Sequence, residues 1–193
     1  MPNRPAPAAT TRLLTDAALL AQCRRDQFRG PGPGGQKRNK TSSAVRLVHI
    51  PTGVTATATE FRSLRENKLY ALRRLKLKLA VDLREPVDLP RFTPPDWFLS
   101  LRRSNGIEAS HRHPLYAAVS GLLLDLLQAV GGSPAAVAVN LGVSTTAVVR
   151  WLEGEPSLWA AANGIRAGLA LKPLAHRGGS CGSPRSSGTR LDP

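Results

Sequence analysis

The stretch SAVRLVHIPTGVTATATEFRS, Ser43 to Ser63, decides the fold. Ala44, Arg46, Val48 and Ile50 alternate with Val45, Leu47 and His49, and after Pro51-Thr52-Gly53 a second run, VTATATEF, alternates again and is rich in β-branched residues. Alternation on both sides of a Pro/Gly turn predicts a β-hairpin. Ser63 followed three residues later by Glu66 has capping-box spacing and opens a long helix to about Leu83. Leu64, Leu72, Leu75 and Leu79 recur at near-helical spacing to form one apolar face, with Arg65, Lys68, Arg73, Lys76 and Lys78 over the rest. Upstream, Thr15 or Asp16 caps a short helix, and CRRDQFR from Cys23 reads as a further strand. The expectation is α+β: a three-stranded or slightly larger sheet packed by a long helix, followed by a small all-α unit.

Between the first strand and the hairpin lies FRGPGPGGQKRNKTSS, Phe28 to Ser43, with no hydrophobic residue after Phe28 until Ala44. Such a segment adds nothing to a core. Gly30, Gly32 and Gly35 satisfy GxGxxG, yet the flanks lack the buried strand, the amphipathic helix and the later carboxylate of a dinucleotide site. The Walker spacing fails as well, because Lys37 is at the wrong offset. A merely basic loop explains Lys37, Arg38 and Lys40, since each phosphate contact adds sequence-independent affinity. It does not explain Gly34-Gly35-Gln36. Paired glycines let main-chain N–H groups approach a ligand closely, and a Gln backbone N–H can serve as an oxyanion donor although its side chain is no acid or base.

Composition points to the partner. The 193 residues carry 27 Lys/Arg against 13 Asp/Glu, a formal charge of +14. Cations outnumber acids about fourfold through Ala80, whereas His113 to Ala175 is close to neutral. A polyanion, nucleic acid first, is expected at the N-terminal half. Cys23 and Cys181 show no metal or disulfide spacing, and His111 and His113 read as surface, so neither a metal nor a cofactor is expected. No apolar run is long enough to span a membrane, which predicts a cytoplasmic protein without a membrane partner.

Residues 13–83 are thus read as the loop-bearing α+β unit. Residues 84–112, which include the four prolines of REPVDLPRFTPPD, are read as a linker with a short helix, 113–175 as an all-α bundle, and 176–193 as a disordered tail. Within the bundle, Ala138 to Leu152 resembles a helix-turn-helix, with Gly142 after one helix, Ser144 capping the next, and Val148 and Trp151 inward. Its neutral charge makes DNA an unlikely ligand and favours a structural or protein-docking role.

GPGGQKRNKTSSAVRLVHIPTGV and FRSLRENKLYALRRL together resemble the peptidyl-tRNA hydrolysis domain of class I peptide chain release factors. That family carries GGQ, then N-[KT]-x-x-S-A-V-x-L, H-x-P-[TS]-G and R-S-x-x-x-N-[KR] in order; Leu64 stands here where many relatives have Gln. The resemblance covers Thr15 to Leu83. It implies that Gly34, Gly35 and Gln36 enter the peptidyl transferase centre of the large ribosomal subunit and promote water attack on the peptidyl-tRNA ester. It further implies that Lys37, Arg38, Asn39, Lys40, Arg62, Asn67 and Lys68 hold the segment against rRNA. With 33 residues before Gly34, no codon-reading segment is expected. The short form resembles the rescue branch, which frees peptide from stalled ribosomes or split large subunits without reading a codon. The competing expectation is a noncatalytic, RNA-binding ribosome-associated factor that keeps the fold.

Overall fold

The computed structural model of the chain describes residues 8–29 and 43–175; the expectation of a disordered tail at 176–193 lies outside them. Two short helices, α1 (Ala8–Arg12) and α2 (Asp16–Ala21), precede strand β1 (Cys23–Phe28). Strands β2 (Ala44–His49) and β3 (Thr55–Ala58) are the two runs flanking the Pro51-Thr52-Gly53 turn. The sheet is antiparallel in the order β1-β2-β3, with Cys23 opposite His49, Phe28 opposite Ala44, and Val45 opposite Ala58. The alternation in β2 sends Val45, Leu47 and His49 to the buried face and Arg46 to solvent. Gly53 takes φ of +72°, the left-handed turn conformation that glycine reaches without strain.

Helix α3 (Leu64–Asp82) lies across this sheet. Its N-cap Ser63 accepts a hydrogen bond from the Glu66 N–H at 3.4 Å, as the capping-box spacing predicts. Ala71, Leu72, Leu75 and Leu79 close over Val45, Leu47, Ala56 and Ala58, with Leu19 of α2 sealing the edge. Leu64, expected on this face, is 40% exposed. It lies outside the cluster that Ala71, Leu72, Leu75 and Leu79 form with the sheet, and at this end of α3 the buried residue is Asn67.

Helix α3 also has a second apolar stripe, Leu77 and Val81, which packs against a separate core. That core is a helical bundle: α5 (Tyr116–Ala129), α6 (Pro134–Leu141), α7 (Thr145–Glu153) and α8 (Pro156–Gly168), preceded by the single turn α4 (Asp96–Leu99) and a small hairpin, β4 (Arg102–Arg103) with β5 (Gly106–Ile107). Phe98 and Leu101 are buried among Leu123, Leu127 and Leu141. Pro134 begins α6 where its missing N–H costs no hydrogen bond, and Gly142 ends it at φ +65°. Ser144 caps α7, its Oγ accepting from Ala147 N at 3.1 Å, and Val148 and Trp151 face inward. The hairpin tip is tied to this cap, since the Ser144 N–H donates to Asn105 O at 2.7 Å.

A buried charge cluster joins the two cores. Asp125 sits within the otherwise apolar α5 and receives Arg12 from α1 in a buried ion pair, and Arg84, just beyond α3, at 3.1 Å. Arg12 also donates to Leu83 O, and the Glu85 N–H donates to Asp125 at 3.2 Å. Burial, offset by Asp125 and reinforced by repulsion from Arg12, lowers the Arg84 pKa to about 10. Among the described residues no single helix is long and apolar enough to cross a membrane. Helices α5 and α6 together have the length, but they bend by 119° and their apolar residues form the bundle core.

Candidate functional site

Phe28 pairs with Ala44, so the two described positions that residues 30–42 connect, Arg29 and Ser43, lie at the same end of the sheet. Of the residues read as the site, Gly34, Gly35, Gln36, Lys37, Arg38, Asn39 and Lys40 lie outside the described residues. Arg62, Asn67 and Lys68 are described, together with the base to which the 30–42 connection is attached. At that base the Arg46 guanidinium lies 5.3 Å from the centre of the Phe28 ring, a cation–π contact across β1 and β2.

Asn67 is fully buried and spends its whole amide on backbone. Its Nδ2 donates to Ser43 O at 2.6 Å and to Phe61 O at 2.8 Å, while its Oδ1 accepts from the Phe61 N–H at 3.0 Å. One side chain thus fastens three segments: the point where the connection rejoins β2, the turn after β3, and the first turns of α3. This is the reason for an Asn at a position where an apolar residue would leave buried backbone groups unpaired. Asn67 was expected to help hold the segment against rRNA; its amide is turned inward and bonded to backbone of this chain. Arg62 and Lys68, each next in sequence to a member of this staple, are brought to the same end of the sheet, Arg62 exposed and Lys68 half-buried.

The turn after β3 is braced again. Arg74 donates to Thr57 O at 2.8 Å and to Glu60 at 2.6 Å, and its guanidinium covers the Tyr70 ring at 5.2 Å, which meets Phe61 edge to face at 5.1 Å. Partial burial works against ionisation of Glu60, but the Arg74 contact and backbone N–H groups hold its carboxyl below the ordinary range. His49, buried in the HIPTG turn, has Nδ1 2.7 Å from Thr52 Oγ1 and Nε2 3.0 Å from Gln22 Oε1. Burial lowers its pKa, so it locks the turn as a neutral ring with both nitrogens engaged. At the Phe28–Ala44 end the described residues supply cations and the Asn67 hydrogen bonds, while the His49 turn is at the far end of β2.

Replacing Asn67 by Ala leaves two carbonyls and one N–H unpaired in the interior and is expected to destabilise the protein by about 2–4 kcal/mol, read by urea unfolding. A variant as stable as the parent but weaker in RNA affinity would restore a direct contact role. The staple had a sequence signal, an Asn on the core side of an amphipathic helix, that the apolar pattern alone passes over.

The sequence of this region is similar to that of known proteins. The RF-1 domain matches residues 20–88, which span β1, the 30–42 connection, β2, β3 and α3. Peptide chain release factor 1 of Caulobacter vibrioides is 38% identical over 102 residues, 45% of this chain and 28% of that protein. Peptide chain release factor 2 of Mycobacterium avium is 52% identical over 56 residues, 29% of this chain and 15% of that protein. That of Corynebacterium glutamicum strain R is 51% identical over 59 residues, 31% and 16% of the two chains. The chain spans less than a third of the length of these relatives. Over residues 20–88 the chain carries an RF-1 domain, and there it is similar to the peptide chain release factors.

Proposed function

We propose that this chain is a release-factor-like peptidyl-tRNA hydrolase that frees nascent peptide on the ribosome, acting on stalled ribosomes or split large subunits without reading a codon. The observation that carries the reading is the RF-1 match over a sheet that bears Gly34-Gly35-Gln36 on its β1–β2 connection. In this reading the Gln36 backbone N–H stabilises the oxyanion that develops as water attacks the ester, and the two glycines let the main chain come close enough to do so. The Asn67 staple holds the point where the connection rejoins β2, and the His49 turn fixes the opposite end of the same strand pair. Lys37, Arg38, Asn39 and Lys40, with Arg62 and Lys68 at the base, supply the contacts to large-subunit rRNA, each cation adding affinity by neutralising phosphate. The site of action is the cytoplasm, where the ribosomes are.

The described elements that flank the matched region pack on it: Arg12 ties α1 and, through Asp125, α5 to the C-terminal end of α3. The expected result is equal release, within about twofold, from ribosomal complexes carrying a stop codon, a sense codon or no codon in the A site, since no contact to the codon contributes to the transition state. A strong preference for stop codons would refute this assignment. Ribosome binding with no release from any complex would establish the noncatalytic RNA-binding alternative.

A further inference from the structure

The bundle reads as electrically neutral in sequence, but the fold brings cations to it from elsewhere. Two cavities meet at its surface and share His111 and Tyr116. The larger, about 340 Å³, lies between the β4–β5 hairpin and α7 and is lined by Ile107, Arg150 and Trp151 among others. The smaller, about 130 Å³, opens between α3 and the segment leading into α5; Arg73, Lys76, Arg112 and His113 line it. Its one lining acid is Asp16, which is already paired with Lys76. Arg73, Arg112 and Arg150 are exposed and have no acid partner among the described ion pairs. None of the three is near another in sequence.

Where the cavities join, aromatic rings are gathered. The Tyr116 ring centre lies 4.9 Å from that of Trp151, nearly parallel, and 4.7 Å from that of His111. Trp151 is held by its Nε1–H, which donates to Ser120 Oγ at 3.0 Å. Burial, with Glu155 nearby, raises the Tyr116 pKa to about 12, so the phenol stays neutral. His111 is the exposed member of the cluster and the one through which a further planar group can extend it.

We infer that this trough, from Arg73 on α3 past His111 to Arg150 on α7, binds single-stranded RNA, with phosphates on the arginines and an unpaired base stacked on His111. Single strands suit the site because their bases are free to leave the helix stack and lie on a side-chain ring, whereas a duplex offers only its backbone. A protein ligand would need an acidic strip to match the arginines and would leave the ring cluster unused. The site is separate from the 30–42 connection and does not depend on hydrolysis.

The test uses the full chain and fluorescence anisotropy with three probes: a short oligo-uridine, the same strand with a central abasic site, and a duplex of equal length. Replacing both Arg112 and Arg150 by Gln is expected to reduce the slope of log affinity against log salt for the single strand by about 1.4. His111→Ala is expected to weaken the intact strand about tenfold and to leave the abasic strand unchanged, while His111→Phe restores binding. Arg24→Gln with Arg25→Gln, which removes equal charge from β1, is the control. If the control lowers single-strand affinity as much as the trough pair, or if His111→Ala acts equally on the abasic strand, the trough is not the site. A duplex bound as tightly as the intact single strand would likewise overturn the inference.

Discussion

Replacing Gln36 by proline is expected to lower the rate of peptide release by about a hundredfold or more while ribosome affinity changes little, because proline removes the backbone N–H assigned to the developing oxyanion. Loss of a single preorganised donor has this size when the donor acts on charge that exists only in the transition state. The affinity should survive, since it is assigned to Lys37, Arg38, Lys40, Arg62 and Lys68, which the substitution leaves in place. Gly35→Ala is expected to have a similar effect by narrowing the backbone angles open to the segment. Gln36→Ala separates the two parts of the residue: it keeps the N–H, so release should fall much less than with proline. The measurement is single-turnover release from programmed ribosomes at saturating protein, beside a sedimentation assay for binding. If binding and release fell together, the segment would be an anchor rather than a catalytic element.

Asp125→Asn is expected to cost about 3–5 kcal/mol, the largest effect on stability of any single substitution considered, because it leaves Arg12 buried without a countercharge and Arg84 half-buried beside it. The cluster is not an efficient source of stability in itself, as the lowered pKa of Arg84 indicates: burial already strains its charge. Replacing Arg12 and Asp125 together by Met and Leu should therefore be much milder than Asp125→Asn alone, an asymmetry that ordinary loss of packing does not produce. Gly121 is part of the same design. A Cβ there would come within 2.6 Å of the Arg12 side chain, so α5 carries a glycine in mid-helix to let Arg12 reach Asp125. Urea denaturation of the full chain reads both variants, and an Asp125→Asn protein within about 1 kcal/mol of the parent would mean that the cluster is open to water.

Much of the fold is legible in the chain because its determinants are local. The alternation from Ala44 to His49, the Gly53 turn and the Ser63 and Glu66 cap each act within a few residues, and the structure has the strands and helix they predict. Helix ends at Pro134, Gly142 and Ser144 follow the same logic. Where a pattern was read for one face only, it was incomplete. The stripe through Leu72, Leu75 and Leu79 accounts for the sheet side of α3, yet Leu77 and Val81 bury a second side because another layer lies there. Leu64 fits the stripe and is left 40% exposed, since helical spacing does not say which turns of the helix meet the sheet.

The local sequence carries the reading of the candidate site: Gly34-Gly35-Gln36 between basic residues, with no apolar side chain nearby, argues against a dinucleotide site, and Gln36 itself is no acid or base. It also determined the α+β order of elements, because turn, cap and periodicity signals depend on neighbours along the chain. Which polar residues work inside the protein depends on how distant elements pack. Asn67 meets Ser43 from 24 positions away, and Arg12 meets Asp125 across 113. Pairings at such separation have no period or spacing to announce them, since they arise from the packing of elements that are each specified independently. The charge of the bundle surface arises in the same way: Arg73 comes to line one cavity with Arg112, at the entry to α5, only when α3 packs against α5.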